Sequence, residues 1–138
     1  CLAAVFIVAQ LFENHFAESI AAIFVVIGHC WPVFAKFSGG RGVATGLGAL
    51  LYLSPESGVV VIVVGIVLIA LTRYVSLASI IGSILGFIMM LLMVVFSGQP
   101  FEHLLYAVVV SVLILFMHRG NMQRLINGTE RKIGKTDR

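Results

Sequence analysis

The chain has 138 residues, 60% of them hydrophobic and 11% charged, with a mean hydropathy of +1.11. Soluble domains average about 25% charged residues, and a chain this short leaves too much surface in water to hide such an apolar excess. The balance argues against a disordered tail, a nucleic-acid-binding module or a disulfide-stapled secreted domain, and it reads as an integral membrane protein.

The charges separate uncharged runs at 1–12, 19–35, 42–55, 57–72, 74–101 and 103–118. A bilayer core about 30 Å thick takes roughly 17–25 apolar residues as a helix. Helices are expected because a lone strand in lipid leaves its backbone unsatisfied. The fold class is therefore all-α, a polytopic bundle with five to six spans in this chain, near 1–12, 19–36, 42–54, 58–73, 76–97 and 103–118.

The first run starts directly in apolar sequence without an initiator Met or a basic flank. It reads as a span cut in half, so the chain is expected to be N-terminally truncated. A signal peptide fits less well, since a charged n-region and a small-residue cleavage site are lacking. The run 42–54 makes only about 20 Å of helix, which suggests a tilted, re-entrant or shielded element. Ala78, Ser79, Gly82, Ser83 and Gly86 give the fifth run a close-packing face. The whole of 1–138 reads as a single membrane domain, with 119–138 as a basic cytoplasmic tail.

The loops sort by sign. Glu13 and Glu18, Glu56, and Glu102 fall in one set; Lys36 and Arg41, Arg73, and the Arg- and Lys-rich tail fall in the other. The sets alternate along the chain, and Lys and Arg near span ends stay in the cytoplasm. The basic loops and the C-terminus are therefore placed inside, the Glu loops outside. Cys1 and Cys30 define neither a disulfide framework nor a zinc site. A net charge of +3 says less than its distribution.

Three clusters on the basic side carry the unusual chemistry. The first runs from Gly28 and His29 through Pro32, Lys36, Ser38, Gly39, Gly40, Arg41 and Gly42 to Thr45. Glycines let backbone amides turn toward a ligand, and a helix start favours negative charge. Lys36, Arg41 and those amides make a phosphate cradle, or else a plain basic turn whose glycines serve packing. Neither the GxxxxGK[ST] nor the GxGxxG spacing is present. His29, taken alone, reads first as a hydrogen-bonding or interfacial imidazole. The second cluster is Thr72-Arg73-Tyr74-Val75-Ser76-Leu77-Ala78-Ser79. Ser76 and Ser79, three apart, share a helical face; Arg73 and Tyr74 also suit a membrane interface. The third holds His118, Asn121, Arg124 and Glu130. His118 and Asn121 lie at i, i+3, where an imidazole can exchange a proton near neutral pH. An interfacial His followed by a juxtamembrane basic tail is the alternative.

Together and in this order the clusters resemble a known family. Gly28-His29-x-x-Pro32-x-Phe34-x-x-Phe37-x-Gly39-Gly40-[Lys/Arg]-Gly42-Val43-Ala44-Thr45 is similar to the second signature of the bacterial membrane acyl-phosphate:glycerol-3-phosphate acyltransferases. Arg73-Tyr74-x-Ser76-Leu77-x-Ser79-Ile80 resembles their third signature. His118-Arg119-x-Asn121-x-x-Arg124-Leu125-x-x-Gly128-x-Glu130-x-Lys132 resembles their C-terminal stretch. The resemblance runs from about residue 15 to 133.

The resemblance implies acyl transfer from acyl phosphate to the sn-1 hydroxyl of glycerol 3-phosphate, giving lysophosphatidate and phosphate, the first step of phospholipid synthesis. It further implies seven spans, an active site facing the cytoplasm in the inner membrane, no cofactor, no metal for chemistry and no obligate protein partner. Because acyl phosphate is already activated, the enzyme has to align the hydroxyl, stabilise the oxyanion and neutralise the leaving phosphate. On this reading Lys36, Ser38, Gly39, Gly40, Arg41, Gly42 and Thr45 hold phosphate. Ser76 and Ser79 bond substrate oxygens, and His118, held by Asn121, orients the hydroxyl or the leaving phosphate. His29, Arg73, Arg124 and Glu130 support them. Two features depart from the family: Arg41 stands where Lys is common, and the family's first span and first signature have no counterpart. The competing reading is a small anion transporter or channel subunit gated by the same loop. Its spans would need polar groups at mid-depth.

Overall fold

Helix boundaries follow the polar punctuation of the sequence. In a computed structural model that describes residues 2–12, 14–32 and 39–134, the chain forms α1 (Leu2–Phe12), α2 (His15–Cys30), α3 (Val43–Leu53), α4 (Pro55–Thr72), α5 (Val75–Ser97), α6 (His103–Met117) and α7 (Arg119–Ile126). No strand occurs among the described residues. Asn14 caps α2, its Oδ1 accepting the Phe16 amide at 2.8 Å. Pro32 is two residues beyond the last turn of α2, where its ring bars continuation. Ser54 closes α3 and opens α4, with its amide on the Leu50 carbonyl and Pro55 in the first turn. Arg73 ends α4 in the left-handed region at φ 62°, a conformation rarely adopted outside glycine.

Five of the six apolar runs expected to span are helices within three residues of their expected bounds; the second, expected at 19–36, starts at His15 and ends at Cys30, and 33–36 lie outside the described residues. By length and apolarity, α4 and α5 suffice to cross a membrane, and α6 with α7 forms a pair bent by 57°. α2 and α3 are apolar but shorter. The 11 residues of α3 reach only about 16 Å; it packs against α1, α2, α4 and α6, so neighbours shield what it cannot span.

The polarity is that of a bundle in lipid. α4 buries only Ser57 and Gly58 while Val59, Val63, Ile66 and Leu71 face outward. In hydrocarbon, small and polar residues make helix contacts and branched apolar ones meet the solvent. Along the expected small-residue face, α5 sets Gly82 and Gly86 against Val61 of α4. Ser111 Oγ of α6 donates to the Ser83 carbonyl of α5 at 2.8 Å.

Within the stretch expected as a tail, the described residues 119–134 fold back onto the bundle. After α7 the backbone turns back, and the Ile133 amide donates to the Arg73 carbonyl at 2.9 Å. The Lys132 ammonium sits 5.0 Å from the centre of the Tyr74 ring. Residues that look like a solvated tail by composition thus dock onto the turn between α4 and α5. Lys36 and Ser38 lie outside the described residues.

Candidate active site

The bend between α6 and α7 carries His118. Its ring is 1% exposed and its Nδ1 is 2.8 Å from the Ile114 carbonyl oxygen. A carbonyl only accepts, so Nδ1 bears the proton and Nε2 is the unprotonated nitrogen of the neutral ring. The ring is fixed by its own helix rather than by Asn121, whose Nδ2 donates to Glu130 Oε1 at 2.6 Å. Arg124 Nε donates to the other oxygen, Oε2, at 2.7 Å. Burial pushes the Glu130 carboxyl up, but the nearby Ser76 hydroxyl, Asn121 and Arg124 outweigh it and hold the group below the ordinary carboxylate range. Ser76 Oγ is itself buried and makes no bond of full hydrogen-bond geometry among the described residues. Glu130 is the knot that ties the docked segment to α7.

Around this knot, Arg41, Ser76, Ser79, His118, Glu130 and Arg131 line a cavity of about 440 Å³. Val43 and Ala44, the first residues of α3, complete one wall. Arg41 and the amides of that helix start supply positive potential to it. Ser79 Oγ donates to the Val75 carbonyl at 3.0 Å, so its hydroxyl reaches the cavity with its proton engaged in the helix.

The glycines of the first cluster have identifiable steric roles. A Cβ on Gly39 would lie 2.3 and 2.4 Å from the His29 and Cys30 carbonyl oxygens. One on Gly40 would meet His29 Nε2 at 2.4 Å. Gly42 adopts φ 77°, with Cys30 Sγ and Val26 Cγ1 each 3.0 Å from where a Cβ would be. These close approaches seat the segment on the end of α2 and aim α3 at the cavity. His29 belongs to that seat: its carbonyl accepts the Gly40 amide at 3.2 Å. Thr45 is in the first turn of α3 but outside the cavity's lining, as is Arg73, whose carbonyl holds the docked segment. The sequence reading did not single out Arg131; its only signal was adjacency to Glu130.

A second cavity, of about 270 Å³, continues between α3, α4, α5 and α6. Its walls are almost wholly apolar, and Val43, Leu47, Val75 and Ser79 belong to both cavities. A polar chamber at the end of the bundle thus adjoins an apolar slot inside it.

The family model for glycerol-3-phosphate acyltransferase matches residues 1–128. The chain belongs to that family. A glycerol-3-phosphate acyltransferase of Thermoanaerobacter sp. (strain X514) is 43% identical over 116 residues, covering 84% of this chain and 57% of that protein. One from Dehalococcoides mccartyi (strain CBDB1) is 42% identical over 123 residues, 89% of this chain and 57% of its own length. The crystal structure of PlsY (YgiH), an integral membrane glycerol 3-phosphate acyltransferase, in its glycerol 3-phosphate form superposes with a TM-score of 0.83 at 36% identity. It covers 95% of this chain and 64% of that one. Its lysophosphatidic acid form matches equally, with a TM-score of 0.83. The family's all-helical integral membrane fold is therefore this chain's fold, although the chain spans little more than half the length of these curated relatives.

Proposed function

We propose that this chain carries acyl transfer from acyl phosphate to the sn-1 hydroxyl of glycerol 3-phosphate, releasing lysophosphatidate and inorganic phosphate. The observation that carries the proposal is the cavity itself. Arg41, Ser76, Ser79 and His118 come from three distant stretches of chain, and they face one chamber that adjoins an apolar slot. Two phosphate-bearing substrates, one with a long acyl tail, require that combination. The relatives' names and the glycerol 3-phosphate and lysophosphatidic acid forms of PlsY support the same reading.

In the proposed reaction the acyl tail occupies the apolar slot, and Arg41 with the amides of the α3 start holds phosphate. Lys36 and Ser38 add to that hold, while Gly39, Gly40 and Gly42 give the segment its path and Thr45 stabilises the first turn of α3. The sn-1 hydroxyl oxygen attacks the acyl carbon, and the bond from that carbon to the phosphate oxygen breaks. The hydroxyl proton passes to His118 Nε2 or directly to the leaving phosphate. Ser76 turns its buried hydroxyl from the Glu130 carboxylate to a substrate oxygen, and Ser79 flanks it. Asn121, Arg124 and Glu130 brace the wall, His29 seats the glycine segment, and Arg73 anchors the returning chain. No acyl-enzyme is needed, because the substrate is already an anhydride. The basic end, with the C-terminus, faces the cytoplasm from the bacterial inner membrane.

The test is phosphate release from palmitoyl phosphate by the purified protein in lipid vesicles, with and without glycerol 3-phosphate, paired with direct binding of glycerol 3-phosphate. Release that depends on glycerol 3-phosphate, and falls in the His118→Ala variant, is expected. Absence of both release and binding overturns the proposal.

A further inference from the structure

The opposite end of the same two helices holds a second cluster of chemistry. α2 and α6 pack side by side, and a Cβ added to Gly42 would meet Cys30 and Val26 of α2 and lie 4.0 Å from Ile114 of α6. Their C-terminal ends therefore meet beside the polar cavity. Their N-terminal ends carry His15, Glu18 and His103, with about 22 Å of helix between His103 and His118. His15 Nδ1 is 3.3 Å from Glu18 Oε2, and His103 Nε2 is 3.5 Å from the same oxygen.

His103 is the unusual member. It is 4% exposed, yet neither ring nitrogen makes a hydrogen bond among the described residues. A buried imidazole whose one polar neighbour is a carboxylate oxygen 3.5 Å from Nε2 is only partly compensated, whereas the burial of polar groups is ordinarily compensated in full. Its nearest polar neighbour is a carboxylate oxygen, and the His15 ring crosses it edge-on with centroids 5.5 Å apart. The ligating atoms of all three residues lie within 4.8 Å of one another.

We propose that His15, Glu18 and His103 bind a divalent transition-metal ion, with Zn²⁺ the best match. Two imidazoles and one carboxylate form a recurrent zinc donor set, completed by water. Zinc bonds of 2.0–2.2 Å in a tetrahedron put neighbouring ligand atoms roughly 3.3 Å apart. The two separations from Glu18 Oε2 already match that edge. His15 is the first residue of α2 and more than half exposed, so the site has an entry path for the ion. The bound ion clips the N-terminal ends of α2 and α6 together, far from the acyl-transfer chamber. Its role is structural, and it stands or falls independently of the proposed reaction.

The experiment uses the purified protein, freed of any histidine tag, in detergent without imidazole. Zn²⁺ uptake is measured by competition with a chromophoric chelator, and Co²⁺ reports geometry through its visible spectrum. One ion per chain, a tetrahedral Co²⁺ spectrum and a higher unfolding temperature with Zn²⁺ are expected. His15→Ala, a surface change that leaves the core intact, is expected to weaken uptake by roughly tenfold or more and to abolish the thermal response. Glu18→Gln and His103→Gln are expected to behave likewise. Absence of uptake, or uptake unchanged in His15→Ala and Glu18→Gln, overturns the assignment.

Discussion

Alanine at Gly28, Gly39, Gly40 and Gly42 separates glycine used for close packing from glycine that merely accompanies a motif. At Gly39 an added Cβ meets two backbone carbonyl oxygens and the Pro32 ring at 2.3 to 2.5 Å. Backbone at the end of α2 has nowhere to swing, so the cost is that of severe overpacking, about 3 kcal/mol or more. Gly42→Ala incurs about 1–2 kcal/mol for a left-handed residue, offset by roughly 0.4–1 kcal/mol of reduced unfolded-state freedom. Its two contacts at 3.0 Å are with side-chain atoms that yield by a few tenths of an ångström, leaving a net loss of about 0.5–1.5 kcal/mol. At Gly40 the obstacle is the tip of the exposed His29 ring, which rotates away, so stability changes by less than about 1 kcal/mol. Gly28 lies within α2 with nothing inside 4 Å; alanine there improves helix propensity by about 0.5–1 kcal/mol. Thermal unfolding in detergent reads the series, at about 2–4 °C per kcal/mol for a chain of this size. The order expected, from most to least destabilised, is Gly39→Ala, Gly42→Ala, Gly40→Ala, Gly28→Ala. A Gly39→Ala protein as stable as the parent, or a Gly28→Ala loss as large as that of Gly39→Ala, refutes the steric account.

Glu130→Gln is expected to lower thermal stability at pH 7, because an amide nitrogen then faces either Asn121 or Arg124. The sign of its pH dependence follows from the depressed carboxyl. The parent's advantage is full above the ordinary value of 4.5 and is lost as pH falls through the lower folded value, so the gap between the two melting curves narrows as the pH drops below 4.5. A gap that stays constant down to pH 3 contradicts the knot described for Glu130. His118→Ala is expected to reduce phosphate release by roughly 10²–10⁴-fold, the usual loss on removing a proton-transfer group, while glycerol 3-phosphate binding survives. Equal turnover by the variant removes the imidazole from the mechanism. Gly65→Leu places a side chain in the apolar slot without meeting any neighbour within 4 Å of its Cβ. It is expected to shift preference toward shorter acyl phosphates, measured as the ratio of turnover on C10 and C16 substrates; an unchanged ratio argues against the slot as the acyl site.

The elements were legible because hydrophobic runs and their interruptions are local properties. Charged residues such as Glu56, Arg73 and Glu102 bound the runs in the sequence, and Gly82 and Gly86 announce a packing face that α4 then fills. The unusual residues of the three clusters were also visible, although their pairing was not. The i, i+3 spacing of His118 and Asn121 suggests mutual contact, yet a bend of 57° follows Met117. His118 then bonds up its own helix, and Asn121 reaches forward nine residues to Glu130. Composition cannot show that a polar segment returns, because the return depends on one carboxylate meeting Asn121 and Arg124 and on one amide meeting the Arg73 carbonyl. The same limit hid the His15–Glu18–His103 cluster. In sequence Glu18 serves as a marker of topology, and 85 residues separate it from His103; only the packing of α2 against α6 turns a charge label into a set of ligands. Scarce charge in a membrane chain therefore has two uses here. It orients the helices, and at each end of α2 and α6 the few polar groups left over are gathered into a place where chemistry or a metal ion can act.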